Sequence, residues 1–378
     1  MVVKGRRNTS KNPPVFTQEF LIQNHADVVA CVAMVFVVGL MFQVSSPLAS
    51  LFIALHHNVT VSVPNPTSPN TMMDAVYYMT GPRDAAAIFF YLLIAIVMHQ
   101  IVQEYLLDKV NRRLHLSKVK HTKFNESGQL FSFYLVSIVW GTDIIIRENL
   151  ASNIRSLWEG YPHIHMTFMF KFFFIVQIAY WLHIFPELYF QRVKREDMGP
   201  RIRYASLYLA FIVSAYFLSF TRLALCLIVV QYAAEATFHA CRLLSYADKA
   251  DVARPLANVH DALFVLARLG SIALAVLTFW YGLAQVPSEG FNTAFFRMLG
   301  LSSVSMLQAW LMFNFITFHL RRRRESASSS GGGNSNANKS KNKSMQEKAK
   351  ARKERKVKEE ESDLPEVDQD TRSTKKVK

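Results

Sequence analysis

Ionisable side chains sit within long apolar stretches of this chain at His99, Asp143, Lys171, His183, Glu235, His239 and Arg268. Inside a bilayer such groups are costly, so each is a candidate for a functional or pairing role. Asp143 and Arg147 stand one helical turn apart and are expected to pair. Lys171 lies near the start of its apolar run and can snorkel to the interface, while His183 and His239 lie near the ends of theirs. Glu235 is not at an edge: at 1.5 Å per residue it lies about 9 Å inside its run. Arg268 lies at a similar depth in the next run, and a Glu235–Arg268 pair across two helices would offset part of the cost of burial. The plain reading is a helix-packing clamp, and the sharper one is the polar lining of a groove open to lipid. Soluble-enzyme motifs are missing: there is no phosphate-binding glycine loop, no G-x-S-x-G elbow and no H-E-x-x-H. Cys31, Cys226 and Cys241 lack ligand spacing, and the neighbours His56 and His57 point apart, so neither a metal nor a cofactor is implied.

The elements that must position these groups are apolar, Phe-rich runs at 28–42, 85–102, 130–146, 167–185, 204–220, 223–240, 262–283 and 294–318. A helix crosses a bilayer with about 20 such residues, so the runs predict an all-α polytopic transmembrane bundle of about eight spans. The turn at Thr221–Arg222 is weak and decides whether two of the runs are separate. Lys4, Arg6 and Arg7 lie too far ahead of the first run for a secretory signal, so an uncleaved first span is expected.

The chain has 378 residues, 51% of them hydrophobic, and a formal net charge of +15. Residues 325–378 are Lys, Arg, Glu, Ser, Asn and Gly with almost nothing apolar, the composition of a disordered tail. Basic residues alternate between loops: Lys4, Arg6, Arg7 and Lys11 come first, then Lys109–Lys123, Arg192–Arg203, Arg242–Arg254 and the tail. By the positive-inside rule both termini are cytosolic. Asn58-Val59-Thr60 is a glycosylation sequon in the first non-cytosolic loop, whereas Asn125-Glu126-Ser127 falls in a loop that the charges place in the cytosol. The expected organisation is a cytosolic segment 1–27, two spans and their loops over 28–116, a membrane domain over 117–324 and the tail.

Longer motifs are more specific. Gln23-Asn24-His25-Ala26-Asp27 with Cys31-Val32-Ala33-Met34-Val35-Phe36 resembles the N-terminal signature of the translocating chain-associated membrane protein family. Gln103-Glu104-Tyr105, Asn111-Arg112-Arg113, Lys123-Phe124-Asn125-Glu126-Ser127-Gly128-Gln129-Leu130 and Ala179-Tyr180-Trp181-Leu182-His183 are similar to that family too, as is Phe185-Pro186-Glu187-Leu188-Tyr189-Phe190-Gln191. The resemblance covers about residues 12–324. It implies a multi-pass protein of the endoplasmic reticulum membrane beside the Sec translocation channel and ribosome–nascent chain complexes. It also implies contact with signal sequences and transmembrane segments, and a TLC-type core shared with ceramide synthases. Lys375 and Lys376 resemble a dilysine retrieval signal. The basic tail suits anionic lipid or ribosomal RNA.

The kinship with ceramide synthases supplies the sharpest rival, a lipid-handling protein or an acyltransferase. After Lys194-Arg195-Glu196-Asp197, the positions of their histidine pair fall on Tyr204 and Ala205. Counted from Arg222, the positions of their His-Asp pair fall on Gln231 and Tyr232, and that of the following Asp on Glu235. Without imidazole, acyl transfer lacks its usual general base, so a non-enzymatic protein is expected. Gln231, Tyr232, Glu235, Arg268, His183 and His239 then become candidates for a client- or lipid-facing groove. A transporter is disfavoured because no internal repeat is visible.

Overall fold

A computed structural model of the protein describes residues 17–65 and 68–330. The chain opens with α1 (Gln18–Gln23), which is capped by Thr17: its Oγ1 accepts from the Phe20 amide at 3.3 Å. Then come α2 (His25–Gly39), α3 (Ser46–Ile53), β1 (Asn58–Asn65) and β2 (Ser68–Tyr78). Helices α4 (Asp84–Ile101), α5 (Asp108–Leu114), α6 (Lys118–Arg147), α7 (Phe168–Phe190) and α8 (Arg195–Phe217) follow, and then α9 (Thr221–Tyr246), α10 (Ala250–Ala275) and α11 (Ala294–Ser330). Two wide helical turns, Val102–Leu107 and Val276–Gly282, extend α4 and α10.

Among the described residues, six helices are long and apolar enough to cross a membrane: Asp84–Leu114, Lys120–Arg147, Phe168–Phe190, Thr221–Tyr246, Ala250–Gly282 and Ala294–Ala327. The other two expected spans fall short for different reasons. Helix α2 is apolar but only 15 residues long. Helix α8 is long enough, but its first turns carry Arg195, Glu196, Asp197, Arg201 and Arg203. The weak turn does separate two helices, because Ser219 takes a left-handed conformation (φ 59°) between α8 and α9.

The chain is not all-α. β1 and β2 pair antiparallel with Asn58 opposite Tyr78 and Val63 opposite Met73. The strict alternation Val59-Thr60-Val61-Ser62-Val63 is the signal for this hairpin, and a reading weighted towards spans treats it as loop. Tyr78 also exchanges backbone hydrogen bonds with Met166 (2.8 and 2.9 Å), which ties the hairpin to the segment ahead of α7.

Helices α7 and α9 are the most deeply buried. Phe170, Phe173, Phe174, Ile178 and Trp181 of α7 meet Leu225, Ile228 and Tyr232 of α9 in one core. Helix α9 packs along α6 on one side and α10 on the other, and α7 packs on α4 and α8. The segment between α6 and α7 folds back under this core, where Trp158 lies against Gly282 so closely that a Cβ there has no room. A smaller cluster of Ala33, Phe90 and Leu93 joins α2 to α4, with Phe36 and Phe52 around it.

The chain divides into two units, Met1–Met312 and Phe313–Lys378. The described part of the second continues α11 past Arg321–Arg324, where Arg321 pairs with Glu325 at 3.1 Å. The N-terminal residues 1–16, the greater part of the expected tail (331–378) and the Lys375 and Lys376 pair lie outside the described residues.

Candidate functional site

Three polar clusters lie in or at the ends of the apolar helices. The first joins α8, α9 and α10. Gln231 and Glu235 are one turn apart on α9, and the Gln231 amide donates to Glu235 Oε1 at 2.8 Å. Arg268, on α10 and only 1% exposed, donates through Nη2 to Gln231 Oε1. The expected Glu235–Arg268 pair is therefore mediated: Gln231 stands between the two charges, accepting from one and donating to the other. The Arg268 guanidinium also lies 4.8 Å from the Phe264 ring centre, a cation–π contact. Tyr204 and Tyr208 of α8 reach Glu235 and Gln231 respectively.

Behind this row runs a wall of hydrogen-bonded aromatics. The Tyr134 and Tyr204 hydroxyls share a hydrogen bond of 2.7 Å. Trp181 Nε1 donates to the Tyr232 hydroxyl (2.8 Å), which donates to Gln177 Oε1 (2.9 Å), and the Gln177 amide donates to Ser137 (2.9 Å). Tyr208 stacks on Trp181 with ring centres 4.2 Å apart. The hydroxyls of Tyr134, Tyr204 and Tyr232 each have a partner in this wall, as low-dielectric burial favours. Tyr232 thus faces the wall rather than the Gln231 row, and Ala205 is sealed in the core. His239 is buried beside Tyr134, with ring centres 5.8 Å apart, and its Nδ1 has no hydrogen-bond partner.

His183 is elsewhere. It belongs to a second cluster at the far end of α7, where its Nε2 lies 3.4 Å from His99 Nδ1. His99 and His25 both approach the Glu187 carboxylate at 3.6 Å. Gln191 donates to Glu187 Oε1 at 2.9 Å, and His25 stacks on Phe190 with ring centres 4.6 Å apart. The family-like segments around His25 and Glu187 thus meet in space and dock the start of α2 on the end of α7. Among the described residues, no group of three or more His, Cys, Asp or Glu is placed to hold a metal ion.

The third cluster corrects the expectation for Lys171. It does not snorkel: it is fully buried, with Nζ 2.6 Å from Asp84 Oδ1. The same ammonium donates to the carbonyls of His56 (2.8 Å) and Met79 (2.7 Å). Asp84 Oδ2 accepts from the Tyr216 hydroxyl (2.8 Å) and the Gly81 amide (2.9 Å). Both ends of the hairpin segment are thereby fastened to the start of α4 and to α7. His57 lies against Gly81 in this clamp, and His56 bonds Leu51 at 2.9 Å.

Outside the spans, His163 in the α6–α7 segment is buried, with Nε2 facing the Leu157 carbonyl at 3.2 Å. Burial, reinforced by the positive charge of Arg222, pushes its pKa down to about 4. Burial likewise pushes the Tyr161 phenol up to about 12. The Asp143–Arg147 pair forms as expected at 2.8 Å on an exposed face.

Of the two sequons, Asn58 is exposed at the start of β1. Asn125 is tied to Asn111, and its Ser127 is fully buried. The partners that the sequence does not single out are Asp84 and Tyr216 around Lys171, and Gln177, Trp181 and Tyr208 around Tyr232 and Tyr204. A signal was present in polar and aromatic pairs at helical spacing, Gln177 with Trp181 and Tyr204 with Tyr208.

Residues 123–317 match the family model of the TLC domain. Over 322 residues, covering 83% of this chain and 85% of the relative, the sequence is 44% identical to translocating chain-associated membrane protein 2 of Homo sapiens. The Mus musculus protein of that name is 45% identical over the same share. Sphingosine N-acyltransferase lag1 of Schizosaccharomyces pombe is 24% identical over 193 residues, 50% of this chain and 49% of the relative.

Proposed function

The chain belongs to the translocating chain-associated membrane protein family and carries its TLC domain, and on that premise we propose that it assists insertion of nascent chains into the endoplasmic reticulum membrane. In this reading it is a non-enzymatic component of the translocation machinery, set beside the Sec channel with both termini in the cytosol. Its partners are ribosome–nascent chain complexes, signal sequences, transmembrane segments and membrane lipids, with the basic tail reaching ribosomal RNA. The observation that carries the reading is the likeness over 83% of the chain to a translocating chain-associated membrane protein.

The geometry supplies the chemistry. Gln231 and Glu235 keep accessible surface on α9, and the arginine they hold is buried behind them. A weakly hydrophobic or charged client segment is penalised by about 2.5–3.5 kcal/mol per charge at the bilayer centre. A polar row inside the apolar zone offers such a segment hydrogen-bonding groups during entry and lowers that penalty.

Where enzyme relatives are expected to hold histidines, this chain has Tyr204, hydrogen-bonded to Tyr134, and the sealed Ala205. Neither is a general base at neutral pH, which supports a role without acyl transfer. Acyl-CoA-dependent activity on a sphingoid base, lost on Glu235→Gln, would instead favour the acyltransferase alternative. An exposed Asn58 and an occluded Asn125 sequon support the hairpin side as lumenal.

The test is reconstitution of the Sec channel in proteoliposomes with and without this protein, using client segments of graded polarity. A lowering of the barrier by about 1 kcal/mol corresponds to about fivefold more insertion of the polar clients, with strongly apolar clients unchanged. Equal insertion of every client in both preparations would overturn the proposal.

A further inference from the structure

Arg268 is only 1% exposed within an apolar helix, yet its Nε and Nη1 have no hydrogen-bond partner. Nη2 alone is used, by Gln231. Idle buried donors on a charged group are costly to leave unsatisfied, so the position calls for an acceptor. A guanidinium can only donate, so the missing partner is an acceptor, and a neutral oxygen meets that need.

Charge narrows the choice. Glu235 already balances Arg268 through Gln231, so an added anion or cation would stand uncompensated in a low dielectric. Depth narrows it again. Glu235 lies seven residues, or about 10 Å, along α9 from Arg242 at the end of its apolar run, too deep for a bulky zwitterionic headgroup. Access is present, because Gln231 and Glu235 retain accessible surface while Arg268 lies behind them. Tyr204 and Tyr208 reach Glu235 and Gln231 from α8. One turn further along α9, His239 Nδ1 is a second buried polar atom without a partner.

We propose that the cleft of Gln231, Glu235 and Arg268 holds the small uncharged head of a membrane lipid, a hydroxyl, amide or ester whose oxygen accepts from Arg268. This rests on the reading of the same cleft as a groove open to the bilayer, and adds what fills it when no client is present. The lipid chain lies along α9 between α8 and α10, and an entering segment displaces it.

The experiment uses the full chain in phosphatidylcholine nanodiscs, with no ribosome or client. The probes are a long-chain diazirine alcohol and the matching primary amine and carboxylic acid, and the labelled peptides are located by mass spectrometry. The alcohol is expected to label the α9 and α10 peptides carrying Glu235 and Arg268 about tenfold more than either charged probe. Arg268→Met should abolish that preference. Glu235→Gln, which leaves a positive charge unbalanced, should turn the preference towards the carboxylic acid, and it keeps the proposal testable if the methionine variant fails to fold. Labelling indifferent to head charge, or a preference that survives both substitutions, would overturn the proposal. Because no client is present, that result leaves the insertion reading standing, and a failure of the insertion assay leaves the lipid site standing.

Discussion

Replacing Lys171 with methionine probes the clamp that fastens the hairpin to the helices. The substitution keeps the volume and removes the ammonium. Asp84 is left as a buried, uncompensated carboxylate, and the His56 and Met79 carbonyls lose their donor. Breaking one side of a buried pair costs about 3–5 kcal/mol. At roughly 2–4 °C per kcal/mol for a large domain, the midpoint should fall on the order of 10 °C. Thermal unfolding of the purified protein in nanodiscs reads this directly. Lys171→Met combined with Asp84→Leu removes both charges and should be less harmful than the sum of the single changes, by at least about 1 kcal/mol. A single-variant shift under about 2 °C, or strict additivity in the double variant, would refute the reasoning that the ion pair closes this end of the bundle.

Other consequences are more local. The buried His163 is neutral in the folded state, with a pKa near 4 against about 6.5 when unfolded. Its contribution is therefore complete above pH 6.5 and is lost as pH falls towards 4. About 3 kcal/mol should be lost across that window, and His163→Gln should flatten the dependence of unfolding on pH. Asn58→Gln should abolish an endoglycosidase-sensitive mobility shift in microsomes, whereas Asn125→Gln should leave mobility unchanged. Tyr232→Phe removes the hydroxyl that links Trp181 to Gln177. It should cost about 1–3 kcal/mol by leaving both partners unsatisfied, seen as a lower unfolding midpoint with the expression level held fixed.

Much of the architecture was legible in the sequence because bilayer helices announce themselves by length and apolarity. The runs containing His99, Asp143, Lys171, Glu235, Arg268 and Trp310 each sit in a helix long enough to cross. What was illegible involved competing periodicities and distant partners. The hairpin was hidden because Val59, Val61 and Val63 alternate for too few residues to outweigh the neighbouring spans. From sequence Lys171 looks free to snorkel, because its partner Asp84 is far away in the chain, at the head of another helix. The Glu235–Arg268 relation was legible from equal depth on adjacent helices. The place of Gln231 between them was not, because a neutral amide carries no charge signal. His183 reads as a groove candidate only as an ionisable group near the end of an apolar run, and packing places it beside His99, which approaches Glu187.

The most direct test of the central claim places a photo-crosslinking residue at Gln231 in microsomes programmed with ribosome-stalled nascent chains of increasing length. Adducts with the signal or transmembrane segment, appearing only at lengths where that segment has reached the membrane, are the expected result. Adducts confined to this protein's own helices at every chain length would contradict a client-facing groove.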